Sequence, residues 1–173
     1  MIIAAIEAGY SDATKGKDLT ECRPMLAHIV GLLLLYMTPG EVYCVTVDLI
    51  RSTVEKFESE EIKCMIRWHI PLTSEDRTRL HQAFGSSYLM TTLRKKRSLA
   101  SHMSTIGFEF RNYTSASFDT ICSRFLPLHL ATDVILMYLV EGVKILFRYS
   151  YAVLKVQKDF IKKTCTDPQL LVE

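Results

Sequence analysis

The chain has 173 residues, of which 49% are hydrophobic and 23% are charged, with 21 basic against 19 acidic residues. Only 7 Gly and 5 Pro are present, so the chain is neither collagen-like nor disordered, nor typical of a turn-rich β protein. A formal net charge of +2 does not indicate a nucleic-acid-binding protein, and the length predicts one domain with a sizeable core.

The first predicted helices follow a polar N-terminal stretch, residues 1–20, which is predicted to be a flexible arm. A helix from Pro24 to Met37 comes next, because proline suits a first helical turn. Its run from Ile29 to Leu35 is apolar on every side, which is typical of a central core helix. The sequence Thr38-Pro39-Gly40-Glu41 is a capping box, and the helix that it starts is predicted to reach about Phe57.

The remaining predicted elements are also helical. Acidic residues after Thr73 favour a helix start there, and this helix is predicted to reach about Leu93. Residues 98–113 are the least periodic part of the chain, and Gly107 and Asn112 in this segment suit turns. Three further helices are predicted over Ser115–Phe125, Leu128–Tyr138 and Val143–Lys163. The sequence therefore predicts an all-α fold, a single helical domain over residues 21–165, with residues 166–173 as a C-terminal tail.

Neither the N-terminus nor the cysteines indicate secretion. The first residues carry no basic side chain and only a short apolar run ending at Glu7, unlike a signal peptide. The cysteines are odd in number and lack the close pairing of zinc ligands; they are Cys22, Cys44, Cys64, Cys122 and Cys165. We therefore expect a cytoplasmic protein with reduced thiols, without a metal or a cofactor.

The common catalytic motifs are absent from the sequence, including the P-loop, the G-x-S-x-G elbow and the H-E-x-x-H zinc motif. Cys122 and His129, seven residues apart, are a candidate pair of nucleophile and base. Asp48 and Arg51 lie three residues apart on one predicted helix face, where they can form an ion pair.

The basic residues allow two interpretations. The densest run comprises Arg94, Lys95, Lys96 and Arg97. This run is either a solvated helix end or a contact for anionic lipid, together with Lys144 and Arg148 on the last long helix. The apolar stretch from Phe125 to Phe147 contains charged residues, which favours buried soluble helices over a membrane span.

Two segments carry a family likeness. The first runs from Cys22 to Met37 and continues with Glu41-Val42-Tyr43-Cys44. The second joins Phe125-Leu126-Pro127-Leu128 to the stretch from Asp133 to Arg148, which reads Glu-Gly-x-Lys-hydrophobic-Leu-hydrophobic-Arg at its end. Together they resemble the TBC domain, the GTPase-activating domain for Rab-type small G proteins, and in particular its TBC–TLDc branch. The resemblance implies an all-α fold like the C-terminal half of a TBC domain.

The resemblance also implies a mechanism, which this sequence matches only in part. TBC domains use an arginine from an I-x-x-D-x-x-R motif, which neutralises charge on the transferred phosphoryl group, and a glutamine from a Y-x-Q motif, which orients the attacking water. Arg23 stands where the glutamine is expected, and an arginine has no acceptor for a water hydrogen. The pattern from Val45 to Arg51 has nearly the letters of the arginine motif, but it follows the glutamine position instead of preceding it. Arg23 and Arg51 are therefore candidate catalytic residues, although neither stands at the position that the family's motifs require.

Three functional hypotheses follow. The first is a Rab-family GTPase regulator or binding module in vesicle traffic, catalytically incomplete, with Arg23, Pro24, Asp133 and Glu141 as partner-binding residues implied by the resemblance. The second is a peripheral membrane or scaffold helical domain that binds anionic lipid through basic faces. The third is a truncated product that does not fold alone and exposes core surface along Ile29–Leu35. No nucleic-acid partner is expected.

Overall fold

The computed structural model describes residues 23–58, 74–92 and 99–164, and within these ranges the chain forms eight helices and no strand. In chain order they are α1 (Arg23–Leu33), α2 (Pro39–Glu58), α3 (Ser74–Thr92), α4 (Leu99–Thr105), α5 (Phe110–Phe118), α6 (Leu128–Glu141), α7 (Lys144–Val156) and α8 (Lys158–Thr164). The all-α fold class is thus confirmed. The predicted arm (1–20) and tail (166–173) lie outside the described residues, so these boundaries stay predictions.

α1 buries one face and ends earlier than predicted. Leu26, Ile29 and Leu33 are buried, and their spacing of three and four residues places them on one side of the helix. Leu34 and Leu35 are exposed in the turn that follows α1. The prediction of burial on every side is therefore wrong at this end of the run, because the chain leaves the helix after Leu33.

The predicted capping box at the start of α2 is confirmed. The amide and the hydroxyl of Thr38 both donate to Glu41 Oε2, at 2.8 and 2.7 Å, and the Glu41 amide donates to Thr38 Oγ1 at 3.5 Å. The hydrogen bonds from the hydroxyl and the amide of Thr38 lower the pKa of Glu41. Pro39 is the first helical residue, where its missing N–H is not needed.

Replacing Thr38 by alanine is expected to lower the free energy of unfolding by about 1 kcal/mol, because the α2 terminus loses its side-chain cap. Urea denaturation of the full chain measures this change. Thr38→Ser is the matched control, since it keeps the hydroxyl and should retain most of the stability. If the serine variant loses as much as the alanine variant, the hydroxyl is not the stabilising group.

α1 and α6 pack against each other in opposite directions. Near the start of α1, the Tyr138 hydroxyl donates to Met25 Sδ at 3.5 Å. Just after its end, the hydroxyl oxygens of Tyr36 and Thr132 lie 3.1 Å apart. Val134 and Tyr138 are fully buried, so this side of α6 belongs to the core and the opposite side faces outward.

An aromatic cluster joins α3, α5 and α7, with Phe84 of α3 at its centre. The ring centroid of Phe84 lies 5.6 Å from that of Phe118 and 5.6 Å from that of Phe147, both in edge-to-face geometry. Tyr113 adds a third ring at 6.2 Å, and its hydroxyl donates to the Ser150 carbonyl at 2.9 Å. The cluster thus buries large apolar groups and satisfies the polar atom that it encloses.

The turn predicted at Gly107 is confirmed, with φ of 69°, whereas the turn predicted at Asn112 is wrong, because Asn112 lies in α5. Residues 98–113 contain α4 and the first residues of α5. α4 is seven residues long and buries Leu99, Ala100 and Met103. A helix of two turns carries too few apolar positions for its period to be recognised in a sequence.

The prediction of a helix over Ser115–Phe125 is also wrong, because α5 ends at Phe118 and the chain then forms a turn. Ile121 and Cys122 take up left-handed backbone, with φ of 51° and 60°, which is costly for a β-branched residue such as isoleucine. Both side chains are buried, and the Cys122 amide donates to the Ser117 carbonyl at 2.6 Å. Burial and this hydrogen bond hold the strained turn in place.

The single helix predicted over Val143–Lys163 is two helices, α7 and α8, separated by a turn at Gln157. Leu154 and Ile161, which are seven residues apart, are both buried. The apolar side of the predicted helix thus continues from α7 to α8 at these two residues, whereas Phe160, the neighbour of Ile161, is 61% exposed.

Candidate functional site

His28 and Ser123 come nearest to a base and a nucleophile among the described side chains. Ser123 Oγ lies 3.3 Å from His28 Nδ1 and donates its hydrogen to the Thr120 carbonyl at 2.6 Å. In this arrangement the hydroxyl hydrogen is directed at the Thr120 carbonyl and not at the imidazole, and the donor in the contact with His28 depends on the tautomer of that ring. Partial burial lowers the pKa of His28, and the charge of Asp119 opposes this shift. The pair ties α1 to the turn after α5 and is not a nucleophilic site.

Cys122 and His129 do not form a nucleophile and base either. Burial raises the pKa of the Cys122 thiol to about 12, and the contact with the Ser150 hydroxyl, 3.9 Å from Sγ, opposes the shift only in part. A reactive cysteine needs the opposite shift, toward a thiolate at neutral pH. Cys122 is buried, whereas His129 is exposed on α6.

Arg51, a candidate for the arginine finger, is paired within its own helix. Its Nη1 lies 3.3 Å from Asp48 Oδ1, and both side chains are more than half exposed. An exposed ion pair at this spacing contributes only about 0.3–0.5 kcal/mol, so it does not prevent Arg51 from moving. Arg23 is the first residue of α1, and the geometry of its side chain lies outside what the structure describes.

Asp133 lies within an exposed apolar surface on the outer side of α6. We call this surface the α6 apolar face; it comprises Leu130, Leu136, Met137 and Val140 of α6, all of which are exposed. Asp133 lies three, four and seven residues before Leu136, Met137 and Val140, so these side chains share one side of the helix. Large exposed apolar patches on a folded domain mark interaction surfaces.

Glu141, the other acidic residue predicted to bind a partner, is engaged within the chain. Its Oε2 lies 2.7 Å from Arg148 Nη1 and 3.5 Å from Lys144 Nζ. The predicted partner residue and two of the predicted lipid-binding residues thus form one cluster at the junction of α6 and α7. Pro24 is exposed in the first turn of α1.

Four of the residues predicted to contact anionic lipid cannot be placed. Arg94, Lys95, Lys96 and Arg97 lie outside the described residues. Among residues 23–58, 74–92 and 99–164, no three histidine, cysteine or acidic side chains come together as a metal site. Over the same ranges, none of the helices combines the length and the apolar character that crossing a bilayer requires.

The α6 apolar face was not predicted from the sequence, apart from Asp133. Residues 134–140 of α6 are apolar at every position, so the pattern does not reveal which side of the helix is buried. The signal that was available is Asp133 itself, since an aspartate is seldom fully buried and therefore favours the outward side.

The chain matches a known protein family over most of its length. The family model for the RabGAP TBC domain matches residues 20–171, which covers both segments of the resemblance and confirms it. No curated protein and no solved structure matches the chain.

Proposed function

Because the chain belongs to the RabGAP TBC domain family, we propose that it is a cytoplasmic module that binds and regulates a Rab-type small GTPase in vesicle traffic, while contributing little to GTP hydrolysis itself. The family match over residues 20–171 carries the GTPase part of this proposal. The catalytic part rests on Arg23, which stands at the position of the family's glutamine, and on Arg51, whose pattern follows that position instead of preceding it.

The α6 apolar face is the surface that we assign to the GTPase. It is exposed, apolar and centred on one carboxylate, Asp133, so it suits a partner with an apolar surface and a basic side chain. Glu141 is the last residue of α6, next to this face. Its ion pairs with Lys144 and Arg148 connect the end of α6 to α7.

Single-turnover phosphate release from a panel of GTP-loaded Rab proteins tests the catalytic part. We expect no acceleration by the folded chain, because the lack of an arginine finger alone forfeits about 10³ to 10⁵ in rate. A clear acceleration would contradict the proposal, and Arg23→Ala and Arg51→Ala would then identify the arginine responsible.

Binding of the same Rab proteins tests the assigned surface. Val140→Asp is expected to weaken binding by roughly tenfold or more, since it places a charge in an apolar interface. Val156→Asp is the matched control, because Val156 is 82% exposed and Val140 is 80% exposed, and Val156 lies on α7. Equal losses in both variants would exclude the α6 apolar face, and a folded chain that retains no Rab protein would exclude the GTPase function.

Contact with an anionic membrane surface is a second candidate function. It is favoured by the exposed basic residues of α7, which are Lys144, Arg148 and Lys155. Sedimentation with vesicles tests it: binding should require anionic lipid and weaken steeply as salt is added. Equal binding to neutral vesicles would contradict it.

A further inference from the structure

A cleft of about 360 Å³ lies between α3 and α7, and none of its lining residues belongs to the α6 apolar face. It is lined by Phe84, Ser87, Tyr88, Phe147, Arg148 and Tyr151. The lining is therefore four aromatic rings, one hydroxyl and one guanidinium.

The aromatic rings that line the cleft contact one another in pairs. The ring centroids of Phe84 and Phe147 are 5.6 Å apart, and those of Tyr88 and Tyr151 are also 5.6 Å apart. Phe84 and Tyr88 are buried, whereas Phe147 and Tyr151 are half-buried. Because the rings support one another, the cleft exists before any ligand binds, which reduces the entropy cost of binding.

The charge at the edge of the cleft favours one negative charge on the ligand. Arg148 is about half exposed and uses Nη1 for Glu141, and a guanidinium has five N–H donors in a planar fork that suits a carboxylate. Lys144 shares the same Glu141, so this cluster of two cations and one anion keeps a net charge of +1. Burial raises the pKa of Tyr88 to about 12, so this wall residue stays neutral at physiological pH.

The volume of the cleft is large enough for a small apolar group. Clefts that hold small molecules span roughly 300–1,000 Å³, and 360 Å³ is near the lower end of that range. The cleft therefore has room for one short acyl chain.

We propose that this cleft binds a small monoanionic amphiphile of the fatty-acid class, with its carboxylate on Arg148 and its chain along the cleft, over the outer edges of the aromatic rings of α3 and α7. None of the residues that line the cleft belongs to the α6 apolar face, although Arg148 also pairs with Glu141 at the junction of α6 and α7.

Calorimetric titration of the full chain with decanoate, below the concentration at which it forms micelles, tests the site. We expect one molecule bound per chain and a tenfold or greater loss in Arg148→Gln, which removes the charge-assisted hydrogen bonds. Lys155→Gln is the matched control: it removes the same charge two turns further along α7, outside the cleft lining, and should change the affinity less than threefold. Equal losses in the two variants, or no binding to the unmodified chain, would overturn the proposal.

A second variant and two further ligands separate the cleft from surface charge. Ser87→Phe places a ring in the cleft and should abolish decanoate binding while leaving Arg148 in place. Decanol and decyltrimethylammonium should bind at least tenfold more weakly than decanoate, because neither offers a carboxylate to Arg148. Binding that survives Ser87→Phe, or that is seen only with vesicles of anionic lipid and not with free decanoate, would overturn the site.

Discussion

Replacing Phe84 by alanine is expected to lower the free energy of unfolding by about 3–5 kcal/mol, the range for large aromatic residues in a core. Phe84 is 2% exposed, and its ring contacts Phe118 and Phe147 on two other helices. The variant therefore loses apolar burial and leaves a cavity at the junction of α3, α5 and α7. Urea denaturation followed by circular dichroism measures the change.

Phe160→Ala is the matched control for this prediction. It is the same chemical change at a side chain that is 61% exposed, where little burial is lost, so we expect a change within about 1 kcal/mol. Similar losses in both variants would show that Phe84 is not at the centre of the core.

The aromatic cluster illustrates what the sequence could not predict. The capping box at Thr38 and Glu41 was predicted correctly because all its hydrogen bonds form within four residues. The contact between Phe84 and Phe147 joins residues far apart in the chain, and no local pattern indicates it. The apolar spacing along α3 predicts a helix but not its neighbours.

The turn after α5 was missed for a different reason. The composition of residues 115–125 suits a helix, and the left-handed backbone at Ile121 and Cys122 has no glycine or asparagine to indicate it. Burial of both side chains overrides their local preference. The tertiary structure decides this turn, so local propensity predicted it wrongly.

The partner-binding roles that the resemblance implies for Asp133 and Glu141 stay predictions. The resemblance pointed to Asp133 and Glu141 alike, but Asp133 lies on the exposed α6 apolar face, whereas Glu141 forms ion pairs with Lys144 and Arg148. Which residues of α6 are exposed depends on how the helix is rotated against α1. That rotation is fixed by contacts such as the hydrogen bond from Tyr138 to Met25, which no pattern within α6 reveals.

His81 is expected to make the protein less stable as the pH falls. Burial lowers the pKa of His81 from 6.5 to about 4; Asp119 opposes this shift, and Arg77 and Arg111 add to it. Between these two pKa values the unfolded chain binds more protons than the folded chain, so the stability is complete above about pH 6.5 and is lost progressively toward pH 4. Between pH 7.5 and pH 5 the free energy of unfolding should fall by roughly 2 kcal/mol from this residue, as measured by urea denaturation at each pH.

His81→Leu should remove this part of the pH dependence. Neither ring nitrogen of His81 has a hydrogen-bond partner within the described residues, and the ring stacks on Phe118 with centroids 5.8 Å apart, so an apolar side chain of similar volume suits the position. His28, whose pKa is also lowered by burial, remains in the variant and should leave a smaller slope of the same sign. His129→Leu is the control, because it makes the same chemical change at an exposed position. If His81→Leu and the unmodified chain lose stability equally between pH 7.5 and pH 5, the buried imidazole is not what makes the fold sensitive to acid.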